Sequence, residues 1–254
     1  MIANFDLSQL FLFPVKDNEA RKNFLIATLV YFASFIIPII PIIFAMGYTA
    51  RIMRRVVNGE EPRMVAWDDW ESMFKDGLYL FGVRLAYSLP LLIIVVPLYI
   101  GMMLTPVWME MGNNTNDAMA FAPFLLFGLG MIVIFPISLA LGIVLPAAEN
   151  HVVITSEFAA GFRVREWWAI FRANWTGFLL AYLIAIVASS ILSMLVGIAM
   201  ITIVLFCVLP FIMPAIAAYL NFVMYAAFAQ AYKEGKSRLA QQLIANSQEP
   251  TANS

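Results

Sequence analysis

A stretch of 55 residues without a charged side chain, Trp175–Ala229, limits this chain more than any other feature. Runs of more than roughly 18 apolar residues are typical of helices that cross a membrane. The stretch is too long for one such helix, so it predicts two helices with a turn around Gly197–Phe206. The runs Leu78–Pro106 and Ala118–Ala148 carry at most one charge each. The sequence therefore predicts an all-α membrane protein.

The basic residues indicate how such a chain is oriented. All fifteen lysines and arginines fall in four blocks: Lys16–Lys22, Arg51–Arg84, Arg163–Arg172 and Lys233–Arg238. Basic residues are enriched on the cytoplasmic side of a membrane. The blocks therefore predict a multi-pass protein of the inner (cytoplasmic) cell membrane, with the N- and C-termini in the cytoplasm.

A recurring pattern of an aromatic residue, a cation and an Asp or Asn precedes three of the apolar runs. It occurs at Phe13–Asp17, Phe74–Asp76 and Phe171–Asn174. Asp and Asn at such a place can cap the unpaired backbone donors of a helix start. The pattern predicts three successive helical hairpins, and therefore six membrane helices. The hairpins are expected at about Arg21–Val57, Leu78–Ala148 with a tip at Trp108–Asp117, and Trp175–Tyr232.

The first hairpin is the shortest of the three. Pro38 and Pro41 interrupt its apolar run, because proline ends or kinks a helix. Its rising arm, near Arg21–Ile37, spans about 25 Å at about 1.5 Å per residue, against a hydrocarbon core of about 30 Å. We expect a short or re-entrant hairpin. The alternative is one kinked span over Phe24–Gly47, which would leave the first basic block outside the cell.

Two aromatic segments, Val65–Phe74 and Val164–Phe171, predict amphipathic helices in the cytoplasmic membrane interface. Tryptophan and phenylalanine on one side of such a helix suit the boundary between headgroups and acyl chains. We expect six side chains to anchor the protein at this boundary: Trp67, Trp70, Phe74, Trp167, Trp168 and Phe171.

Polar side chains at membrane depth are few. Arg84 lies about two turns into its apolar run, where it can extend its head to the headgroups or serve a buried function. Asn221 is the second candidate intramembrane polar residue. Residues 1–240 are expected to form one polytopic transmembrane domain, and residues 241–254 a polar, disordered tail.

The chain offers little chemistry to assign. One cysteine and one histidine, Cys207 and His151, exclude an internal disulfide and a multi-histidine site, and the net charge of −1 gives no reason to expect a nucleic acid partner. We assign no catalytic residue, no cofactor and no metal ligand. Asp68 and Glu71 would share one face of a helix and could act together, but the solvated side of an interfacial helix explains them as well.

Residues 47–78 carry a resemblance to a known family. Gly47-Tyr48 is followed by the basic helix from Arg51, by Asn58-Gly59-Glu60, by Trp67-Asp68-Asp69-Trp70 and by Asp76-Gly77-Leu78. The chain resembles, over about residues 10–235, the prokaryotic polytopic membrane proteins grouped as domain of unknown function 4013. It departs from their pattern at Met64-Val65-Ala66, where Leu-Pro-Glu is usual. The resemblance implies a membrane location and a helical fold, and it supplies no catalytic residue.

Three function classes remain open. A scaffold or accessory subunit would contact lipid, further copies of itself or another membrane protein through its helices. A small channel or transporter would have a pathway between the hairpins, although no acidic residue lies in mid-membrane. An enzyme would need a site that the sequence does not display. We expect the first class, with the channel or transporter as the alternative.

Overall fold

The computed structural model of the chain describes residues 7–111, 117–200 and 203–248. This part of the chain is helical and contains no strand. Short 3-10 turns at Phe13–Val15 and Phe158–Phe162 connect some of its helices. The eight α-helices of the described ranges are α1 (Leu7–Leu12), α2 (Asn18–Ala33), α3 (Ile40–Val57), α4 (Trp70–Met111), α5 (Asp117–Thr155), α6 (Val164–Ala173), α7 (Trp175–Ala199) and α8 (Ile203–Gln248).

Four helices in the described ranges are long and apolar enough to cross a membrane. They are Trp70–Val107 in α4, Pro123–Thr155 in α5, Trp175–Ile198 in α7 and Cys207–Ser247 in α8. The prediction that the uncharged stretch forms two helices is confirmed, because α7 ends at Ala199 and α8 begins at Ile203. The tip expected between α4 and α5 falls partly on residues 112–116, which lie outside the described residues.

The first apolar run is divided where its prolines predicted a break. α2 ends at Ala33, and α3 begins at Ile40. Pro41 occupies the first turn of α3, where a missing backbone donor costs no helical hydrogen bond. At the other end α3 stops at Val57, and Gly59 has a φ of 96°, a conformation that glycine adopts without strain.

The packing against α8 gives the directions of the neighbouring helices. Phe24 and Phe32 of α2 lie against Tyr219 and Phe211, so α2 runs antiparallel to α8. α3 runs parallel to α8, since Thr49 bonds Asn221 and Gly59 lies beside Lys233. α2 and α3 are therefore antiparallel to each other, as a hairpin requires.

The other helices continue this alternation. α4 crosses α3 in the opposite direction, because Gly47 meets Met73 and Gly77 meets Ile43. α7 is antiparallel to α8. Asn174 at the start of α7 bonds the oxygen of Ala231, whereas Ile184 and Ala188, further along α7, lie across a small cavity from Ala217 and Leu220. The end of α3 and the start of α7 thus both lie beside the segment of α8 around Ala231 and Lys233.

The predicted interfacial helix over Val65–Phe74 is wrong as a separate element. The segment from Glu60 to Asp69 is not helical, and Trp70–Phe74 form the first turns of the long helix α4. The side chain of Asp69 accepts a hydrogen bond from the backbone of Ser72 at 3.1 Å, which caps α4 at this point. The second amphipathic segment is a helix, α6, as expected.

The described residues form two compact units. One unit contains the residues up to Val83 and from Pro146 onward, and the other contains Arg84–Leu145. At the C-terminal end α8 continues to Gln248, and residues 249–254 lie outside the described part. The single transmembrane domain over residues 1–240 and the disordered tail stay predictions.

Candidate functional site

The basic helix α3 ends in a set of ion pairs, which is the most polar region of the first unit. Arg51 lies 2.9 Å from Asp68 and 3.8 Å from Asp69, and it also donates to the backbone oxygen of Ala66. Arg55 pairs with Glu60 directly after the helix. The three arginines that the sequence placed on one side of α3 are thus held by acids from the segments that follow it.

Arg54 joins three helices. Its Nη1 donates to Asp76 Oδ2 of α4 at 2.9 Å. Its Nε and Nη2 donate to the backbone oxygen of Val153 at 3.2 and 3.0 Å, in the last turn of α5. Carbonyl groups in the last turn of a helix lack partners within that helix, and a cation there also complements the helix dipole. Arg54 therefore fixes the start of α4 and the end of α5 to α3.

The acids considered for catalysis or cation binding do not form one site. Asp68 precedes α4, so it does not share a helical face with Glu71. The hydrogen bond from Arg51 lowers the pKa of Asp68, which keeps this carboxylate charged. Asp76 is nearly buried against Arg54. No three His, Cys, Asp or Glu side chains of the described residues lie in a position to hold a metal ion.

An aromatic stack fixes the segment between α3 and α4. The rings of Tyr48 and Trp67 are 4.1 Å apart and nearly parallel. The Tyr48 hydroxyl donates to the backbone oxygen of Val65 at 2.7 Å and accepts from its N–H at 2.9 Å, and Trp67 Nε1 donates to the oxygen of Asn23. Trp67 is therefore half-buried and held by contacts within the protein, in addition to any contact with lipid.

The remaining predicted anchors divide into two groups. Trp70, Phe74 and Trp168 are exposed, as anchoring requires. Trp167 and Phe171 are buried, in contrast to the expectation for anchors. Trp167 Nε1 donates to the oxygen of Gly161 at 3.0 Å, and Phe171 packs against Phe178. α6 thus uses one side of its aromatic stripe for the protein core.

A hydrogen-bonded chain, buried at His151 and Tyr232 and exposed at Glu166, connects α5, α6 and α8. His151 Nε2 lies 2.9 Å from Glu166 Oε2, and its Nδ1 lies 2.7 Å from the Tyr232 hydroxyl. A carboxylate only accepts, so Nε2 carries a proton; in the neutral ring Nδ1 then accepts from the tyrosine hydroxyl. The hydrogen bond from His151, together with the charge of Arg163, lowers the pKa of Glu166.

The two candidate intramembrane polar residues lie in different surroundings. Arg84 is half-buried, and its backbone oxygen accepts a hydrogen bond from Ser88 Oγ at 2.7 Å. Asn221 Oδ1 accepts a hydrogen bond from Thr49 Oγ1 at 2.8 Å. Thr49 itself is buried, and its hydroxyl also contacts the oxygen of Ala45, as is common for threonine in helices. Thr49 was missed because nothing in the sequence shows which residue of α3 faces Asn221.

A cavity of about 270 Å³ lies beside Asn221, between α7 and α8. Its walls combine small residues such as Ala185, Ala188 and Ala217 with two polar side chains, Ser189 and Asn221. Small residues in membrane helices permit close approach of a neighbouring helix, and polar ones can line a path for a solute.

The long apolar helices are those of an integral membrane protein with a helical fold. The ion pairs of Arg51, Arg54 and Arg55, which we call the polar layer, lie at the end of α3 and the start of α4. The chain belongs to the family described as "Protein of unknown function (DUF4013)", whose sequence profile matches residues 30–201. The resemblance seen in residues 47–78 is thereby confirmed. Searches of curated proteins and of solved structures each gave no match.

Proposed function

We propose that this protein is a membrane scaffold or accessory subunit that crosses the inner membrane as three helical hairpins. The alternating directions of α2, α3, α4, α7 and α8 support this arrangement. With basic residues at the shared ends, the enrichment of cations on the cytoplasmic side favours cytoplasmic termini. α2 has 16 residues and covers about 24 Å, so the first hairpin enters the membrane without fully spanning a core of about 30 Å.

The interfacial role is proposed for the exposed aromatic side chains. Trp70, Phe74 and Trp168 lie beside the ion-paired helix ends, where headgroups meet acyl chains in this arrangement. α6 is the proposed interfacial helix, with Arg165 and Arg172 on its polar side.

One observation carries the choice of a scaffold: the polar groups that could perform chemistry or transport are engaged within the protein. Asp76 is paired with Arg54, Asp68 with Arg51, and Asn221 with Thr49. The apolar flanks of the long helices, by contrast, stay exposed for lipid or for a partner helix. On this basis we also propose that the protein has no catalytic activity of its own.

The test is a photo-crosslinking scan in native membranes. A photoreactive residue replaces Met194 on α7 or Ile93 on α4, both of which are about 70% exposed. The mass of the purified assembly is then measured by native mass spectrometry. A scaffold is expected to give one discrete crosslinked product, with a second copy or with a stoichiometric membrane protein. A monomer that crosslinks only to lipid at both positions would refute the proposal.

A small channel or transporter is the second candidate, and the cavity between α7 and α8 favours it. In that case Asn221 and Ser189 would line the pathway, and Asn221→Leu would reduce solute flux into proteoliposomes. If the protein is a scaffold, we expect no solute flux through either the wild type or the Asn221→Leu variant. Ala188→Val, which narrows the same cavity without removing a polar group, separates a steric effect from the loss of the amide.

A further inference from the structure

The end of α3 borders an open cavity of about 480 Å³ that the proposed function does not use. Its walls come from the end of α3, from the non-helical segment that follows, and from the start of α2. We call it the arginine pocket. Its charged lining consists of Arg51, Arg54, Arg55 and Arg63, with Glu19, Glu60 and Asp68.

Arg51 and Arg55 of the arginine pocket are more buried than the acids that pair with them. The side chains of Arg51 and Arg55 are 23% and 32% exposed, whereas those of Asp68 and Glu60 are 67% and 49% exposed. Ion pairs with such exposed carboxylates contribute little, because water competes for both charges. The acids can therefore move away from the arginines at small cost.

Two of the arginines have donor capacity left. A guanidinium group carries five N–H donors. Arg63 has one ionic contact among the described residues, at 3.9 Å from Glu19, which is beyond hydrogen-bond distance. Arg55 pairs with Glu60; its Nε is buried and has no hydrogen-bond partner in the described part of the chain. Arg54, by contrast, is fully used between α4 and α5.

We propose that the arginine pocket binds a phosphate group through Arg55 and Arg63, with Arg51 nearby and with Glu60 and Glu19 displaced to the rim. Arginine forms two-pronged, charge-assisted hydrogen bonds with phosphate, which are stronger than exposed pairs with carboxylates. The pocket also has room for a headgroup of several heavy atoms.

The phosphate can belong to an anionic phospholipid or to a soluble phosphate ester. Basic pockets at the cytoplasmic ends of membrane helices are suited to lipid headgroups. The exposed Trp70 and Phe74 at the start of α4 are consistent with headgroup level. The inference goes beyond the proposed function and applies to a scaffold and to a transporter alike.

The test uses the full chain in nanodiscs of phosphatidylcholine. Native mass spectrometry measures retention of added phosphatidylglycerol, and calorimetry measures binding of inorganic phosphate and of glycerol 3-phosphate. Arg63→Gln is expected to weaken binding roughly tenfold, as loss of a charged hydrogen bond does. Glu60→Gln is expected to tighten it, because a competing carboxylate disappears. Arg238→Gln removes an exposed arginine of α8 outside the arginine pocket and is the matched control, with no change expected.

The lipid-retention and the calorimetric measurements together identify the source of the phosphate. Retention of phosphatidylglycerol alone indicates a lipid site, and binding of the soluble anions indicates a soluble ester. The proposal is overturned if neither probe binds, if Arg63→Gln and Arg238→Gln behave alike, or if Glu60→Gln weakens binding. Arg63 is 58% exposed, so its substitution leaves the fold intact, and equal melting temperatures verify this.

Discussion

The crossing of α3 and α4 gives the sharpest prediction about stability. Gly77 lies so close to α3 that a Cβ atom there would be 1.8 Å from the backbone oxygen of Ile43. Gly47, on the other side of the crossing, would place a Cβ atom 1.7 Å from the oxygen of Met73. Both obstacles are backbone atoms, which cannot rotate away as a side chain can. Gly77→Ala therefore forces the two helices apart.

The size of the effect follows from the required movement. Cβ contacts below 3.0 Å are essentially never seen, so the helices must separate by more than 1 Å at Gly77. Overpacking of this kind costs about 1–3 kcal/mol and more when backbone must move. The better helix propensity of alanine returns up to about 1 kcal/mol. We expect a net loss of about 2–3 kcal/mol, or roughly 5–10 °C in melting temperature.

The assay is thermal unfolding in one detergent, followed by intrinsic tryptophan fluorescence. The control is Gly101→Ala on the same helix, where an added Cβ meets nothing within 4 Å. Gly101→Ala is expected to leave stability equal or slightly raised. Equal melting temperatures for Gly77→Ala and Gly101→Ala would refute the close crossing.

Two further substitutions test the polar layer and the hydrogen bond between Glu166 and His151. Arg54→Gln should destabilise the protein by about 2–3 kcal/mol in denaturant titrations, because it leaves Asp76 nearly buried and unpaired; unchanged stability would contradict the three-helix junction. Glu166 has a lowered pKa in the folded protein, so its contribution is present above the ordinary glutamate range and is lost as pH falls through the folded pKa. Melting temperatures measured from neutral to acidic pH should therefore fall less in Glu166→Gln than in wild type, and parallel pH profiles would exclude this role.

The helical fold was predictable because its signals are local. The apolar runs predict the long helices, and Pro38 and Pro41 predict the break between α2 and α3. The Asn58-Gly59 pair gave the end of α3, since Gly59 adopts a positive φ. Each of these depends on a few neighbouring residues.

The contacts within the candidate site were not predictable, because they join residues far apart in the chain. The spacing of Trp67, Trp70 and Phe74 fits a helix, yet Tyr48 stacks on Trp67 and Asp69 starts α4 only at Trp70. Arg54 selects Asp76 and the oxygen of Val153, 22 and 99 residues away. Charge position predicts a side of the membrane for these arginines, and packing determines their partners.

The central claim is that three hairpins place all the basic helix ends on the cytoplasmic side. The most direct measurement is cysteine accessibility in oriented cells, with Cys207 replaced by serine and a single cysteine placed at Asn18 or at Ser237. Both positions are exposed: Asn18 is the first residue of α2, and Ser237 follows the buried part of α8. The account predicts that an impermeant maleimide labels both only after the cytoplasmic side is opened. Labelling of the Asn18 position from outside, with the Ser237 position still protected, would contradict the first hairpin and with it the six-helix arrangement.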